Sequence, residues 1–391
     1  MTPAARLQAA IEILDEVIAS ARDDGPPADI IVTRYFKTRR YAGSGDRRAV
    51  RELVFRAIRR SAELPASGRP AMLGLAHDEP EFLPLFGQVR GPVPIVDGEQ
   101  GSPARVVPAW LERHISPLVK ADEWPALLER APLDLRVNSA RSDRDAMLEQ
   151  FPGAEPTRIS PWGLRLPADS RIDAHPAFID GLVEVQDEGS QLIALACDPA
   201  GGMRILDLCA GAGGKALALA AAAPGATILA TDTNRSRLSK LAPRADKAGA
   251  RIDIRLLNPP REFEELSDWA GTADIVLVDA PCSGSGTWRR NPDGRWRLTP
   301  DRLDRVIGVQ ASLLETAAAL VRPGGSLVYA VCSILEAEGE AQVVKFLGGR
   351  SSWVAEETPI AAGRMTGSGR LLVPSQDGTD GFFVARLRRP C

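Results

Sequence analysis

Arg204-Ile-Leu-Asp-Leu-Cys-Ala-Gly-Ala-Gly-Gly-Lys215 is the stretch from which the rest of the chain can be read. Ile205, Leu206 and Leu208 form a short apolar run, glycines follow, and an alanine–leucine stretch comes after them. A buried strand turning sharply into a helix has this spelling. Gly211, Gly213 and Gly214 let a ligand lie against bare backbone. The helix opening near Gly213 aims its unpaired N–H groups and positive dipole end at that ligand. The pattern predicts a nucleotide-type cofactor loop after the first strand of a doubly wound α/β sheet.

The spacing narrows the cofactor. A phosphate-cradling P-loop reads Gly-x-x-x-x-Gly-Lys-Ser/Thr, whereas only Ala212 and Gly213 separate Gly211 from Gly214, and Ala216 replaces the metal-binding hydroxyl. Gly211, Gly213 and Ala216 satisfy the dinucleotide spelling Gly-x-Gly-x-x-Gly/Ala. The second strand, Thr227-Ile-Leu-Ala-Thr-Asp232, ends in an acid 25 positions beyond Asp207. An acid there accepts hydrogen bonds from ribose hydroxyls, which suits a nicotinamide dinucleotide or S-adenosylmethionine alike.

Working outward, 391 residues exceed one typical domain, and 44% hydrophobic with 25% charged residues describes a folded chain. No apolar run reaches the length of a membrane span, and no basic-then-apolar leader is legible at the N-terminus. Five cysteines (Cys197, Cys209, Cys282, Cys332, Cys391), no Cys-x-x-Cys and three His suggest neither a disulfide framework nor a metal site. A cytoplasmic protein with reduced thiols is expected, with no membrane, no metal and a monomeric state. Net charge is −3, yet Arg34 to Arg60 holds ten basic residues against Asp46 and Glu52. Tyr35, Phe36 and Tyr41 lie among them, which fits a phosphate-attracting segment as well as a solvated helix face.

Leu7, Ile11, Leu14, Val17 and Ile18 share one helical stripe, and Val50, Leu53, Val54, Ala57 and Ile58 another. Residues 64–104 are rich in Pro and Gly, and helical spacing resumes at 108–114 and near Trp124, so residues 1–130 read as a helical domain. Residues 131–175 read as a small βαββ unit, whose Arg136, Asn138, Arg158 and Arg165 could face RNA. From Gly181 to residue 347 strands and helices alternate, and a hairpin of Leu371-Leu-Val and Phe382-Phe-Val-Ala-Arg-Leu387 closes the 176–391 domain.

Ligands of such sheets bind outside the carboxyl ends of the strands. One strand ends in Asp279-Ala-Pro-Cys-Ser-Gly284 and another in Cys332-Ser333, so two thiols and a carboxylate fall on the same rim. Asn258-Pro-Pro resembles the motif of amino-group methyltransferases but follows a different strand and reads as a decoy. A thiolate is the soft nucleophile available at neutral pH. Carbon 5 of cytosine is too poor a nucleophile to take a methyl group unaided; a thiolate added at carbon 6 creates an enamine that can. Asp279, protonated or sharing a proton, would support nitrogen 3.

Asp207–Lys215, Asp279–Thr287 (Asp-Ala-Pro-Cys-Ser-Gly-Ser-Gly-Thr), Arg289-Arg-Asn-Pro-Asp293 and Tyr329-Ala-Val-Cys-Ser-Ile334 resemble the motifs of the Sun family of RNA (cytosine-5) methyltransferases. Val185–Gln191 and Asp377–Phe383 also match, so the resemblance covers about 131–391. It implies a Rossmann-like class I methyltransferase domain over 176–391, an RRM-like α/β unit over 131–175 and an all-α, NusB-like RNA-binding domain over 1–130. It further implies Cys332 as nucleophile, Cys282 as the cysteine for product release and Asp279 at the base. Cys209, Ala210, Gly211, Ala212, Gly213, Gly214, Lys215, Asp232, Asn258 and Asp279 would contact S-adenosylmethionine, Asn258 standing where the family has an Asp. The implied substrate is a cytosine of RNA, 16S ribosomal RNA first. A non-catalytic RNA-binding or ribosome assembly factor and an NAD-dependent oxidoreductase are the alternatives.

Overall fold

A computed structural model describes residues 1–391. The chain forms two compact units. The first comprises Met1–Ile115, Lys120–Glu129 and Thr287–Pro300, and the second Ser116–Val119, Arg130–Gly286 and Asp301–Cys391.

The first unit is built on helices α1 (Pro3–Arg22), α2 (Ala28–Lys37), α3 (Ser44–Arg60) and α4 (Gly68–Asp78). Both apolar stripes legible in the sequence are buried in its core. Helix α4 carries Gly68, Pro70 and Gly74, which hides it from propensity reasoning. Burial of Ala71, Met72, Leu73, Leu75 and Ala76 forms it nonetheless. The helices expected at 108–114 and near Trp124 are only short 3₁₀ stretches, Glu112–His114 and Ala121–Leu127, the second interrupted by Pro125.

Residues 287–300, which the sequence assigns to the 176–391 domain, group with the helical unit, and their hydrogen bonds explain why. Arg295 is fully buried and donates to Ile58 O at 2.6 Å and Arg59 O at 3.2 Å, carbonyls at the end of α3 that have no helical partner, and to Val106 O at 2.7 Å. The Trp296 indole donates to Ser61 O at 2.7 Å, and Asp293 accepts the Ala28 N–H at the start of α2 at 3.2 Å. Burial, with the charge of Arg59, pulls the Arg295 pKa down to about 9.

In the second unit, strands β1 (Leu133–Val137), β2 (Glu155–Pro156), β3 (Gly163–Leu166) and β4 (Val183–Val185) form a sheet in the order β2-β3-β1-β4, and helix α5 (Arg144–Gln150) packs on it. Strand β4 pairs with β1 beyond residue 175, so the small sheet extends past the boundary drawn from sequence. Arg136 and Asn138 are buried, donating to Gln186 at 2.6 Å and to the Ala248 carbonyl at 2.9 Å. Arg165 is paired with Asp134 at 2.7 Å. The bonds of Arg136 and Arg165 tie the small sheet internally and that of Asn138 ties it to the helix ending at Ala248; Arg158 alone of the four is exposed.

The large sheet contains β5 (Arg204–Asp207), β6 (Thr227–Asp232), β7 (Asp253–Leu256), β8 (Ala273–Asp279), β9 (Val321–Val331), β10 (Val354–Glu356), β11 (Arg364–Met365), β12 (Arg370–Leu372) and β13 (Phe382–Arg388). Its order is β11-β12-β13-β9-β8-β5-β6-β7, with β10 also on β13. Strands β5 to β9 are parallel and β13 runs antiparallel to β9. The chain winds outward through β5, β6 and β7, then restarts at β8 on the other side of β5. The switch point, where such sheets bind ligands, therefore lies between β5 and β8. Helices α6 (Glu188–Ala196), α7 (Gly214–Ala222) and α8 (Pro300–Leu320) accompany this sheet. No helix is long and apolar enough to cross a membrane.

Candidate active site

Three neighbouring strands end in an acid: β6 in Asp232, β5 in Asp207 and β8 in Asp279. Between β5 and α7 the backbone turns through Gly213 at φ 84°, where a side chain would run into Leu241. The loop is tied down by Ala210 N–H to Thr231 O and Gly213 N–H to Ala210 O, both 2.8 Å. Asp232 accepts the Gly211 N–H at 2.7 Å and the Asn234 N–H at 2.6 Å, so it closes the loop as well as facing it.

Asp207 is fully buried, and neither of its oxygens has a hydrogen-bond partner. Burial, reinforced by Asp279, pushes its pKa up to about 7, with the Lys215 charge opposing. The sequence marks Asp207 as the start of the motif and says nothing of this isolation. Lys215 reaches from α7 to Asp279 at 2.6 Å. Burial alone would lower the pKa of Lys215, but Asp279 and the nearby Cys332 outweigh it and hold the ammonium charged. Asp279 thus lies against a cation.

Cys282, past the end of β8, and Cys332, directly after β9, meet with their sulfurs 3.3 Å apart, although 50 residues separate them. Both are half-buried. Their hydrogen bond, burial and the Glu338 charge raise the Cys282 pKa well above that of a free thiol. Cys209 is also held protonated, by burial and by the acids around it. Cys197 is buried and Cys391 lies exposed at the chain end.

Of the residues singled out in sequence, Lys215, Asp279, Cys282 and Cys332 converge beside the loop Cys209–Gly214. Asn258 does not turn toward them: its amide donates to Glu265 at 3.0 Å and its own N–H to the same carboxylate at 2.8 Å. The serines behind the thiols escaped the sequence reading, and so did Glu338, their common acceptor. The Cys-Ser pair repeated at 282–283 and 332–333 is a signal, but Glu336, Glu338 and Glu340 alternate, and spacing cannot choose among them.

In the helical unit, Tyr35 and Phe36 are buried and only Tyr41 of the three aromatics is exposed. Arg39, Arg56 and Arg60 pair with Glu12, Glu79 and Asp78. Arg34, Lys37, Arg40, Arg48 and Arg51 are exposed.

A parallel sheet with its ligand crevice at the β5/β8 switch point, a glycine loop and strand-end acids define a Rossmann-like methyltransferase fold. Residues 194–388 match the model of the family described as 16S rRNA methyltransferase RsmB/F, to which the chain belongs. It is 36% identical over 268 residues to ribosomal RNA small subunit methyltransferase B of Xylella fastidiosa, covering 67% of this chain and 61% of that one. The protein of that name from Salmonella arizonae is 33% identical over 294 residues, covering 72% and 66%. The chain thus spans somewhat under two thirds of these relatives. Among solved structures, that of PH0851 superimposes with a TM-score of 0.77 at 21% identity over 100% of this chain and 99% of that one. NSun6 from Pyrococcus horikoshii with SFG gives 0.60 at 20% identity over 68% and 92%. At those identities the likeness is one of fold.

Proposed function

We propose that this protein transfers a methyl group from S-adenosylmethionine to carbon 5 of a cytosine in RNA, ribosomal RNA being the first candidate given the names of its relatives. The observation that carries the reading is the 3.3 Å meeting of Cys282 and Cys332 beside the Lys215–Asp279 pair.

The residues at the loop fit the cofactor. Asp207, Asp232 and Asp279 crowd one rim, and Asp207 has no partner of its own. A ligand with a cationic sulfur and an ammonium complements them, whereas the pyrophosphate of a nicotinamide dinucleotide would be repelled. Asp207, Asp232, the Cys209–Gly214 backbone and Lys215 would hold it. When bound, it supplies an electrophilic methyl group.

The chain's own groups do the rest. Cys282 keeps its proton, and the Lys215 ammonium stands near Cys332. The Cys332 sulfur adds to carbon 6 of the base, and the ring electrons move to carbon 5. The Asp279–Lys215 pair sets an acceptor beside a donor, the complement of the cytosine edge with its amine next to nitrogen 3. The ammonium steadies the charge that gathers there. After carbon 5 has been methylated, its proton must leave and the Cys332–carbon 6 bond must break. Cys282 is placed to take that proton as it passes its own to the departing sulfur. Reaching the base requires it to be single-stranded or flipped, and the exposed basic residues of α2 and α3 would hold nearby phosphates.

The test incubates the protein with methyl-labelled S-adenosylmethionine and ribosomal RNA from cells lacking it. Label enters 5-methylcytosine with the native chain. Cys332→Ala abolishes transfer, and Cys282→Ala accumulates a protein–RNA species that survives denaturing electrophoresis. Full turnover by Cys332→Ala would refute the mechanism, and RNA binding without any transfer would leave a non-catalytic binding protein.

A further inference from the structure

Behind the two thiols lies a carboxylate that the reaction does not touch. Glu338 follows β9 in the loop that begins at Cys332, and it has no exposed surface. One of its oxygens accepts the Ser283 N–H at 2.8 Å and the Gln310 amide of α8 at 3.0 Å. The other accepts the hydroxyls of Ser283 and Ser333, each at 2.5 Å. Its backbone carbonyl accepts the Tyr329 hydroxyl at 2.7 Å. Ser283 directly follows Cys282 and Ser333 directly follows Cys332, so one side chain clamps the segment behind each sulfur. Ser285 completes the knot, 2.9 Å from the Ser333 hydroxyl and accepting the Ile334 N–H at 3.0 Å.

We propose that Glu338 is a positioning residue for the thiol pair: its carboxylate fixes the Cys282 and Cys332 loops against each other, and its charge assigns the proton to Cys282. This rests on the thiols being the reacting pair. A buried carboxylate satisfied by four neutral donors is rigid, since moving either loop strands one of its hydrogen bonds. Its charge acts on Cys282 without any bond to it. The groups facing Cys282 are Cys332, Glu338 and Tyr329, and those facing Cys332 include Lys215. The Glu338 charge therefore bears on Cys282, and the Lys215 cation stands near Cys332. With the proton held on Cys282, Cys332 is left as the nucleophile and Cys282 as the proton carrier.

The experiment measures iodoacetamide alkylation of each cysteine against pH by peptide mass spectrometry, together with methyl transfer and cofactor affinity. In the native chain Cys282 becomes reactive only at a pH well above that of a free thiol. Glu338→Gln moves the Cys282 midpoint down by on the order of one pH unit. It slows transfer about 100-fold while cofactor affinity is unchanged, and Glu338→Asp, which keeps the charge, restores the Cys282 midpoint. Folded Glu338→Gln protein with native midpoints and native turnover overturns the proposal, as does Glu338→Asp behaving like Glu338→Gln. If Glu338→Gln does not fold, the Ser283→Ala/Ser333→Ala double variant removes two of the four donors. Phenylarsine oxide, which bridges two adjacent thiols with loss of water, then binds it at least tenfold more weakly than native protein; equal capture overturns the clamp. If the native chain transfers no methyl group, the catalytic reading fails, and the alkylation midpoints still report on Glu338.

Discussion

Replacing Asp207 by Asn isolates the cost of a buried carboxylate that nothing in the protein satisfies. Asp207 has no exposed surface, and its pKa rises from 3.8 to about 7 because it is buried and faces Asp279. A group that holds its proton more tightly in the folded state stabilises the fold fully below its unfolded pKa. That contribution is lost as pH climbs through the folded one. The window here runs from about pH 4 to about pH 7. At 1.36 kcal/mol per unit, a rise of roughly three units amounts to about 4 kcal/mol. The amide of the Asp207→Asn variant would have no proton to lose, so variant and native chain should be equally stable near pH 4 and diverge in favour of the variant up to pH 7. With roughly 2–4 °C per kcal/mol for a unit of this size, the gap in melting temperature reaches on the order of 10 °C. Thermal melts of both proteins across this range, without cofactor, give the answer. Adding S-adenosylmethionine should flatten the native curve, since its positive charge pulls the carboxylate back toward ionisation, and the variant should bind it at least about tenfold more weakly. Melting temperatures separated by the same amount at every pH would refute the reasoning.

Three further outcomes follow from other parts of the molecule. Lys215→Met and Asp279→Asn should each slow methyl transfer, and the double variant should be little worse than either. A double-mutant cycle on turnover should then show coupling of about 1–3 kcal/mol, and strictly additive losses would mean that the pair does not act as a unit. Arg295→Ala strands the last carbonyls of α3 inside the helical unit, at a cost of about 3 kcal/mol. Limited proteolysis should cut residues 1–115 faster while the large sheet stays protected. Replacing Arg40, Arg48 and Arg51 by Gln should weaken RNA binding and reduce the slope of log affinity against log salt by about 2, with cofactor affinity unaltered; an unchanged slope would move the phosphate contacts elsewhere.

Much of this was legible in the residues alone. The apolar run, glycines and alanine-rich helix of 204–222 carry local signals strong enough to place a strand, a turn and a helix. Three acids and two cysteines at strand ends put the chemistry on one rim, because parallel strands share a carboxyl edge. The βαββ unit was readable for the same reason, although β4 was not assigned to it, since three residues carry too little periodicity to declare a partner. Helix α4 went unseen because its glycines and proline argue against a helix, and only packing overrides them.

What the tertiary structure alone decided concerns distance and charge. Residues 282 and 332 could have stood at opposite ends of the rim; the adjacency of β8 and β9 sets their sulfurs in contact. No spacing along the chain foretells that α7 brings Lys215 against Asp279, and Asn258 looked available until it paired with Glu265. Arg295 falls in sequence within the 176–391 domain and is a buried tie in the helical unit. Glu338 is indistinguishable in sequence from Glu336 and Glu340. The physical reason is common to all of these. Local structure depends on neighbours along the chain, which a sequence displays, whereas the ionisation and partners of a side chain depend on neighbours in space, which it does not.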